Sequence, residues 1–266
     1  SLFATGNNPT ETANILNSDL IKINNWAKTW KVIFNAGKSK EMLFSKNAFE
    51  RNSTNTLVFG NEPVKSVTEH KHLGVYLTST LEWGVHIKNI CLRANRKLSV
   101  LRKVKYLQRS TLDVLYKLTV RSVVDYCLPL FYNNLKATEV IQLNRLQYNA
   151  AKLVTGALHN TSAEKLNKEL GWETLGERAS CLGLSIFHKI HLKHTRPLVR
   201  QYMPECNFRD NNKYIQFRYI NQKFNNSFFP FYCKLWNKLP LNQRKLNIDD
   251  FKLELKQIYK PKRYKH

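Results

Sequence analysis

Trp26-Ala27-Lys28-Thr29-Trp30-Lys31-Val32-Ile33-Phe34-Asn35-Ala36-Gly37-Lys38-Ser39, followed later by Glu69-His70-Lys71-His72-Leu73-Gly74-Val75-Tyr76-Leu77, decides how the chain is read. Periodicity makes the first run the end of a helix feeding a strand and then a Gly-Lys turn. A second strand is expected at Glu41 to Phe44, and the later run reads as a short hairpin closing on Leu73-Gly74. The expectation is a small mixed sheet with one helix on its back. Upstream, Asn8-Pro9-Thr10-Glu11 signals a helix start, and Ala13, Leu16, Leu20, Ile23, Ala27 and Trp30 follow at three- and four-residue steps as one apolar stripe.

Beyond Leu81 the chain reads as helix and basic coil. Trp83-Gly84 opens a helix whose residues Ile87, Cys91, Ala94, Leu98 and Leu101 share one face, while Lys88, Arg96 and Lys103 fall on the opposite one. Ser110-Thr111-Leu112-Asp113 has capping-box-like spacing for a second helix running to Leu130, with Pro129 expected to kink or stop it. A third helix is expected from about Thr138 to Val154 with Gly156 as its cap, and two more over Ser162 to Leu170 and Thr174 to about His194. Lys213 to Ile220 alternates as a strand would, and Asp249-Asp250 reads as the cap of a last helix before the basic tail Lys260-Pro261-Lys262-Arg263. The fold class is therefore α+β, mostly α. The divisions fall at 1–80, 81–160 and 161–266.

The chain has 266 residues, with 43 Lys and Arg against 19 Asp and Glu, a formal charge of +24. Such an imbalance opposes compactness and makes sense mainly for a polyanionic partner, nucleic acid first and an anionic membrane surface second. An aromatic share of 12% argues against a disordered basic tail, so a folded basic protein is expected. Five scattered cysteines (Cys91, Cys127, Cys181, Cys206 and Cys233) form no disulfide framework and no Cys-x-x-Cys zinc motif. With no signal peptide and no apolar run of membrane-crossing length, the reading is an intracellular protein, nuclear and cytoplasmic, not secreted, with no membrane partner. The start at Ser1, without Met, suggests a fragment.

Ten basic residues between Lys88 and Arg121 face one acid, Asp113. Helices with an apolar back and a cationic front dock a sugar-phosphate backbone by neutralising phosphates, without reading bases. A solvated helix face is the plainer reading of an isolated charge run, but here the excess pervades the chain. Tyr106 and Tyr116 are candidates for base stacking or for core. Lys38, after Gly37, can present an ammonium to a phosphate. A phosphate-cradling loop of an NTPase would need Gly six residues earlier, where Val32 stands, so that class is excluded. His188, His191 and His194 drift around a helix without a flanking carboxylate or thiol. No metal site is assigned to them.

With these residues in view, the chain resembles a known family. Asn35-Ala36-Gly37-Lys38-Ser39 after a Trp-bearing helix, then His70-Lys71-His72-Leu73-Gly74-Val75, is similar to the late palm of reverse transcriptases from non-LTR (LINE-type) retrotransposons. Gln147 to Gly156, Leu170-Gly171-Trp172-Glu173-Thr174-Leu175 and Leu235-Trp236-Asn237-Lys238-Leu239-Pro240 resemble segments that follow the polymerase domain in such elements. The resemblance implies a small antiparallel palm-like sheet with one helix, a helical thumb-like bundle, and a basic helical C-terminal region. Ser1-Leu2-Phe3-Ala4 resembles the strand after the family's aromatic-x-Asp-Asp box, and that box is absent from this sequence.

By resemblance, Lys38 would lie near the incoming nucleotide's phosphates as a proton donor, and Asn35, Lys38, His72, Leu73 and Gly74 would form the nucleotide- and primer-binding set. Lys88, Arg96 and Lys103 would hold the backbone of a duplex. The implied function is the C-terminal fragment of an RNA-directed DNA polymerase, contacting RNA template and DNA primer without the catalytic aspartates. Its partners would be the template-primer duplex and the missing N-terminal polymerase portion. No cofactor is expected in this chain, Mg²⁺ belonging only to the full-length polymerase. The alternatives are a non-enzymatic basic RNA- or DNA-binding protein derived from a retroelement, and a decayed element without present function.

Overall fold

The computed structural model describes residues 1–51, 56–158, 160–207 and 210–259, so the basic tail at Lys260 to Arg263 lies outside the described residues. In chain order the elements are α1 (Pro9–Thr29), a 3-10 turn (Ala36–Lys38), β1 (Lys40–Glu41), α2 (Ala48–Arg51), β2 (Val58–Phe59), β3 (Glu62–Pro63), β4 (Lys65–Ser66), β5 (Glu69–His72) and β6 (Val75–Thr78). There follow α3 (Gly84–Lys103), α4 (Arg109–Tyr116), a π stretch (Lys117–Arg121), α5 (Ser122–Asp125), α6 (Leu128–Phe131), a 3-10 turn (Tyr132–Asn134), α7 (Ala137–Thr155), α8 (Ala163–Leu170) and α9 (Leu175–His191). The rest comprises α10 (Pro197–Arg200), β7 (Cys206–Asn207), β8 (Asp210–Tyr214), α11 (Gln222–Asn225), α12 (Phe228–Lys238), α13 (Leu241–Arg244) and α14 (Ile248–Tyr259). The class is α+β, mostly helical. The chain divides into two compact units, residues 1–86 and 87–266.

In the first unit α1 starts as its sequence dictates. Asn8 Oδ1 accepts from the Glu11 amide at 2.8 Å, and Pro9 occupies the first turn. It ends in a Schellman motif in which the Val32 amide donates to the Ala27 carbonyl at 2.9 Å and the Lys31 amide to Lys28 at 3.3 Å. That motif places Lys31 at φ 55°, a left-handed position that glycine normally fills. The chain leaves the helix here without entering a strand, because residues 32–35 join no ladder. Of the second strand expected at Glu41 to Phe44 only Glu41 pairs, together with Lys40 before it, in parallel with Ser66 and Lys65. In place of one sheet there are separate two-stranded ladders, β1–β4, β2–β3 and β5–β6. The hairpin closes at Leu73-Gly74 as expected, with His72 opposite Val75 and both turn residues at positive φ, 46° and 88°. This is the geometry of a type I′ turn, whose twist matches that of the strands. Ser1 to Ala4, a strand by the resemblance, join no ladder among the described residues and leave Leu2 and Phe3 exposed.

The second unit is helical around a central α9. Thr174 and Glu177 cap α9 reciprocally, the Glu177 amide donating to Thr174 Oγ1 at 3.2 Å and the Thr174 amide to Glu177 Oε2 at 2.8 Å. Ser162 caps α8 in one direction only, its Oγ accepting from the Lys165 amide at 3.3 Å, and Gly156 at φ 69° ends α7. Leu184 and Phe187 of α9 are buried against Tyr232 and Trp236 of α12 and Phe251 and Leu255 of α14. Gly183 lets α12 approach α9: a Cβ there would fall inside the Tyr232 ring, whose hydroxyl donates to the Ala179 carbonyl at 2.9 Å. The helix expected to run from Ser110 to Leu130 is instead broken. It loosens into the π stretch, stops at the extended Tyr126, and restarts with Pro129 inside the first turn of α6, where a missing N–H costs nothing. Asp113 is no capping residue, since α4 begins after Gln108 without a side-chain cap. The last strand is β8 at Asp210–Tyr214, earlier than the 213–220 expected, and Asn247 rather than the aspartates caps α14.

Two substitutions test these packings. Gly183→Ala should destabilise the second unit by about 3 kcal/mol in calorimetric unfolding, because the rigid buried ring cannot retreat. Lys31→Gly should stabilise the first unit by about 1 kcal/mol in chemical denaturation, by relieving the left-handed cap.

Candidate nucleic-acid interface

The helix α3 is built with two faces. Ile87, Ile90, Ala94, Leu98 and Leu101 are buried, and Lys88, Arg96 and Lys103 are exposed. At 100° per residue these three cations fall within about 80° of arc and span roughly 22 Å along the axis, opposite the buried strip. Arg93, Lys97 and Arg102 flank them, and Lys105 follows in the next turn, all exposed. None of these seven cations has an ion-pair partner among the described residues.

The other three of the ten are committed elsewhere. Arg109 pairs with Glu169 at 2.5 Å, Lys117 with Asp113 at 2.5 Å, and Arg121 lies 3.9 Å from Asp125 and 4.0 Å from Glu173. Arg178 joins this cluster, its Nε and Nη2 both donating to Asp125 at 2.5 Å. Burial and the neighbouring Arg178 lower the Arg121 pKa. Burial also acts against the charged form of Arg178, but the Asp125 carboxylate outweighs it and raises that pKa. Spacing of four residues could have revealed the Lys117–Asp113 and Arg121–Asp125 pairs in the sequence; Glu169 and Glu173 come from far along the chain. The two tyrosines separate as well. Tyr116 is core, stacked on Trp172 at 4.2 Å, whereas Tyr106 is 80% exposed beside Lys105. Trp172 in turn donates to Asp113 at 2.8 Å.

In the first unit Lys38 closes the 3-10 turn and is exposed. Asn35 holds that turn, its Oδ1 accepting from the Lys38 amide at 3.0 Å and its carbonyl from Ser39 Oγ at 3.3 Å. The turn leads directly into β1, which pairs with β4. The Val67 amide donates to the Glu41 carbonyl at 3.0 Å, and two residues later the hairpin begins. Lys38 and the Leu73-Gly74 tip thus belong to neighbouring ladders of one unit. At the tip Leu73 is 78% exposed, and His72 Nε2 lies 3.4 Å from Ser1 Oγ. Asn35 and Gly37 also line a cleft of about 830 Å³ with Glu62 and the two lysines Lys28 and Lys31. Lys88, Arg96 and Lys103 belong to the second unit.

The adjacent acids Asp249 and Asp250 are engaged locally. Asp249 pairs with Lys252 at 3.1 Å, Asp250 accepts from Asn247 Nδ2 at 2.7 Å, and both amides are bound by Asn247, so the pair serves a helix start. Among the described residues no group of three His, Cys, Asp or Glu is placed to hold a metal ion. No described helix is long and apolar enough to cross a membrane. The three histidines separate: His188 is fully buried between Phe251, at 4.2 Å, and Trp236, at 5.6 Å, His191 is part-buried with its Nδ1 2.7 Å from the Tyr214 hydroxyl, and His194 is exposed. Burial, with His191 and His194 nearby, lowers the His188 pKa to about 4; burial also lowers that of His191, aided by Arg244.

Comparison with protein-family models, with curated protein sequences and with solved structures finds no match to this chain.

The buried imidazole sets a pH dependence. The unfolded chain takes up a proton near the ordinary 6.5 while folded His188 stays neutral to about 4, so stability is full above 6.5 and falls as pH drops through this window. The slope should approach about 1.4 kcal/mol per pH unit for this group, and His188→Phe should flatten it in denaturant titrations at pH 7, 6 and 5.

Proposed function

We propose that the chain is the C-terminal part of a retroelement RNA-directed DNA polymerase and that it contacts the template-primer duplex without carrying out nucleotide addition itself. The observation that carries this reading is the row of seven exposed, unpaired cations on and just after α3, in a chain of charge +24. Phosphates spaced along a duplex offer such a row multiple contacts, and counterion release supplies the free energy. The resemblance around Lys38 and the Leu73-Gly74 hairpin makes the duplex an RNA template with a DNA primer, rather than any polyanion. In this reading the exposed Lys38 faces the phosphates of the incoming nucleotide as proton donor, Asn35 fixes the turn that presents it, and His72, Leu73 and Gly74 touch the primer. Phosphoryl transfer needs metal-held carboxylates to stabilise the developing charge, and the sequence has no aromatic-x-Asp-Asp box to provide them. The N-terminal polymerase portion is then the partner that supplies Mg²⁺ chemistry, in the nucleus and cytoplasm.

The test joins binding to chemistry. The double variant Arg96→Glu/Lys103→Glu should weaken binding to an RNA–DNA duplex by about tenfold or more and reduce the slope of log K against log salt by about two. Primer extension on an RNA template by this chain alone, with Mg²⁺ or Mn²⁺, should stay at background. Binding that is unaffected by the double reversal would overturn the interface, and incorporation above background would overturn the placement of the chemistry outside this sequence.

A further inference from the structure

The first unit has an unfinished edge. Val32-Ile33-Phe34 is a run of β-branched and aromatic residues, the composition of a strand, yet it joins no ladder. The amides of Ile33 and Phe34 and the carbonyls of Val32, Ile33 and Phe34 make no hydrogen bond among the described residues. Ile33 is 95% exposed, while Phe34 packs on Phe59 with ring centroids 5.5 Å apart, so the side chains alternate as they do along a strand. Beside this segment the last turns of α1 expose Trp26 and Trp30, and the cleft of about 830 Å³ runs along it, lined by Val32, Phe34, Phe59, Lys28, Lys31 and Glu62 among others.

The shortage of core in this unit is general: among its described residues only Ala27, Phe59 and Val64 are buried apolar side chains. A segment of strand composition with unpaired main-chain groups and an apolar flank is what main-chain pairing with another segment completes. Charge selects the occupant. Lys28 and Lys31 have no ion-pair partner among the described residues, and Glu62 is the single acid on the cleft, so acidic side chains complement it. A nucleic acid would meet the cations and its bases can stack on the tryptophans, but it cannot extend a backbone ladder.

We propose that residues 32–34 are an acceptor edge for an extended polypeptide strand of alternating apolar and acidic side chains, which adds to the first unit by main-chain hydrogen bonds and seats its apolar residues against Phe34 and Trp30. This edge does not rest on the cationic face of α3, although Asn35, which the nucleic-acid reading also uses, lines the same cleft.

The full chain should be used to select peptides from a random displayed library, with Ile33→Pro and Lys28→Glu/Lys31→Glu as comparison targets. Selected peptides should alternate apolar residues with Asp or Glu, bind Ile33→Pro at least about tenfold more weakly, and protect the Ile33 and Phe34 amides from hydrogen exchange. The charge-reversed variant, which leaves the backbone untouched, should select Lys- and Arg-bearing peptides instead. The proposal is overturned if no peptide is enriched over the Ile33→Pro target, if bound peptides leave the two amides unprotected, or if charge reversal does not alter the selected sequences. It is equally overturned if those amides become protected by raising protein concentration alone, which would make a second copy the occupant, or only on adding RNA.

Discussion

The bidentate contact of Arg178 with Asp125, enlarged by Arg121 and Glu173, is the interaction on which the second unit depends. It ties α9, around which α12 and α14 pack, to the irregular π stretch and α5. The side chains are only about a fifth exposed, so each charge relies on the others for compensation; losing one partner would leave a poorly solvated charge behind. The same cluster decides the surface. In a chain with 19 acids against 43 Lys and Arg, carboxylates drawn into internal pairs are lost to the exterior. Asp113, Asp125 and Glu173 are spent on Lys117, Arg121 and Arg178, Glu169 pairs with Arg109 at the surface, and α3 keeps its cations uncompensated. Internal neutralisation and an unneutralised outer face are two consequences of one distribution of charge.

Much of this was legible in the sequence where the physics is local. The helices α3, α7, α8 and α9 follow from apolar spacing and from caps that act within a few residues: Ser162, the Thr174–Glu177 box and Gly156. The hairpin was readable because a two-residue turn fixes its own register. What escaped depends on partners far along the chain. Nothing near Tyr116 announces that Trp172 will stack on it, and nothing near Gly183 announces the Tyr232 ring. The π stretch and the break at Tyr126 follow from packing rather than propensity. At Asp249-Asp250 the acid pair obscured the better cap one position before the helix, Asn247.

The candidate site divides along the same line. Its cationic face could be drawn from helical period alone, and Lys88, Arg96 and Lys103 do share it. Which neighbouring cations remain available could not, since that depends on Glu169 and Glu173 arriving from elsewhere in the fold. Val32-Ile33-Phe34 shows the converse: its residues ask for a strand, and the described chain provides no ladder for them. A local preference without a partner is physical information, because consistency between levels is the rule in folded chains and departures concentrate where function or assembly intervenes. Lys31 and Leu73, both held at positive φ, mark the two ends of the stretch that the sequence singled out.

In the proposed function the α3 face, and not basic surface in general, meets the nucleic acid. Lysine acetylation footprinting with and without an RNA–DNA duplex, read by mass spectrometry, tests it most directly. Lys88, Lys97, Lys103 and Lys105 should be protected by the duplex, while Lys168, paired with Glu164 at 2.8 Å on α8, should react equally in both samples. Protection spread evenly over the lysines, or confined to residues outside α3 and the turn that follows it, would rule out α3 as the contact face.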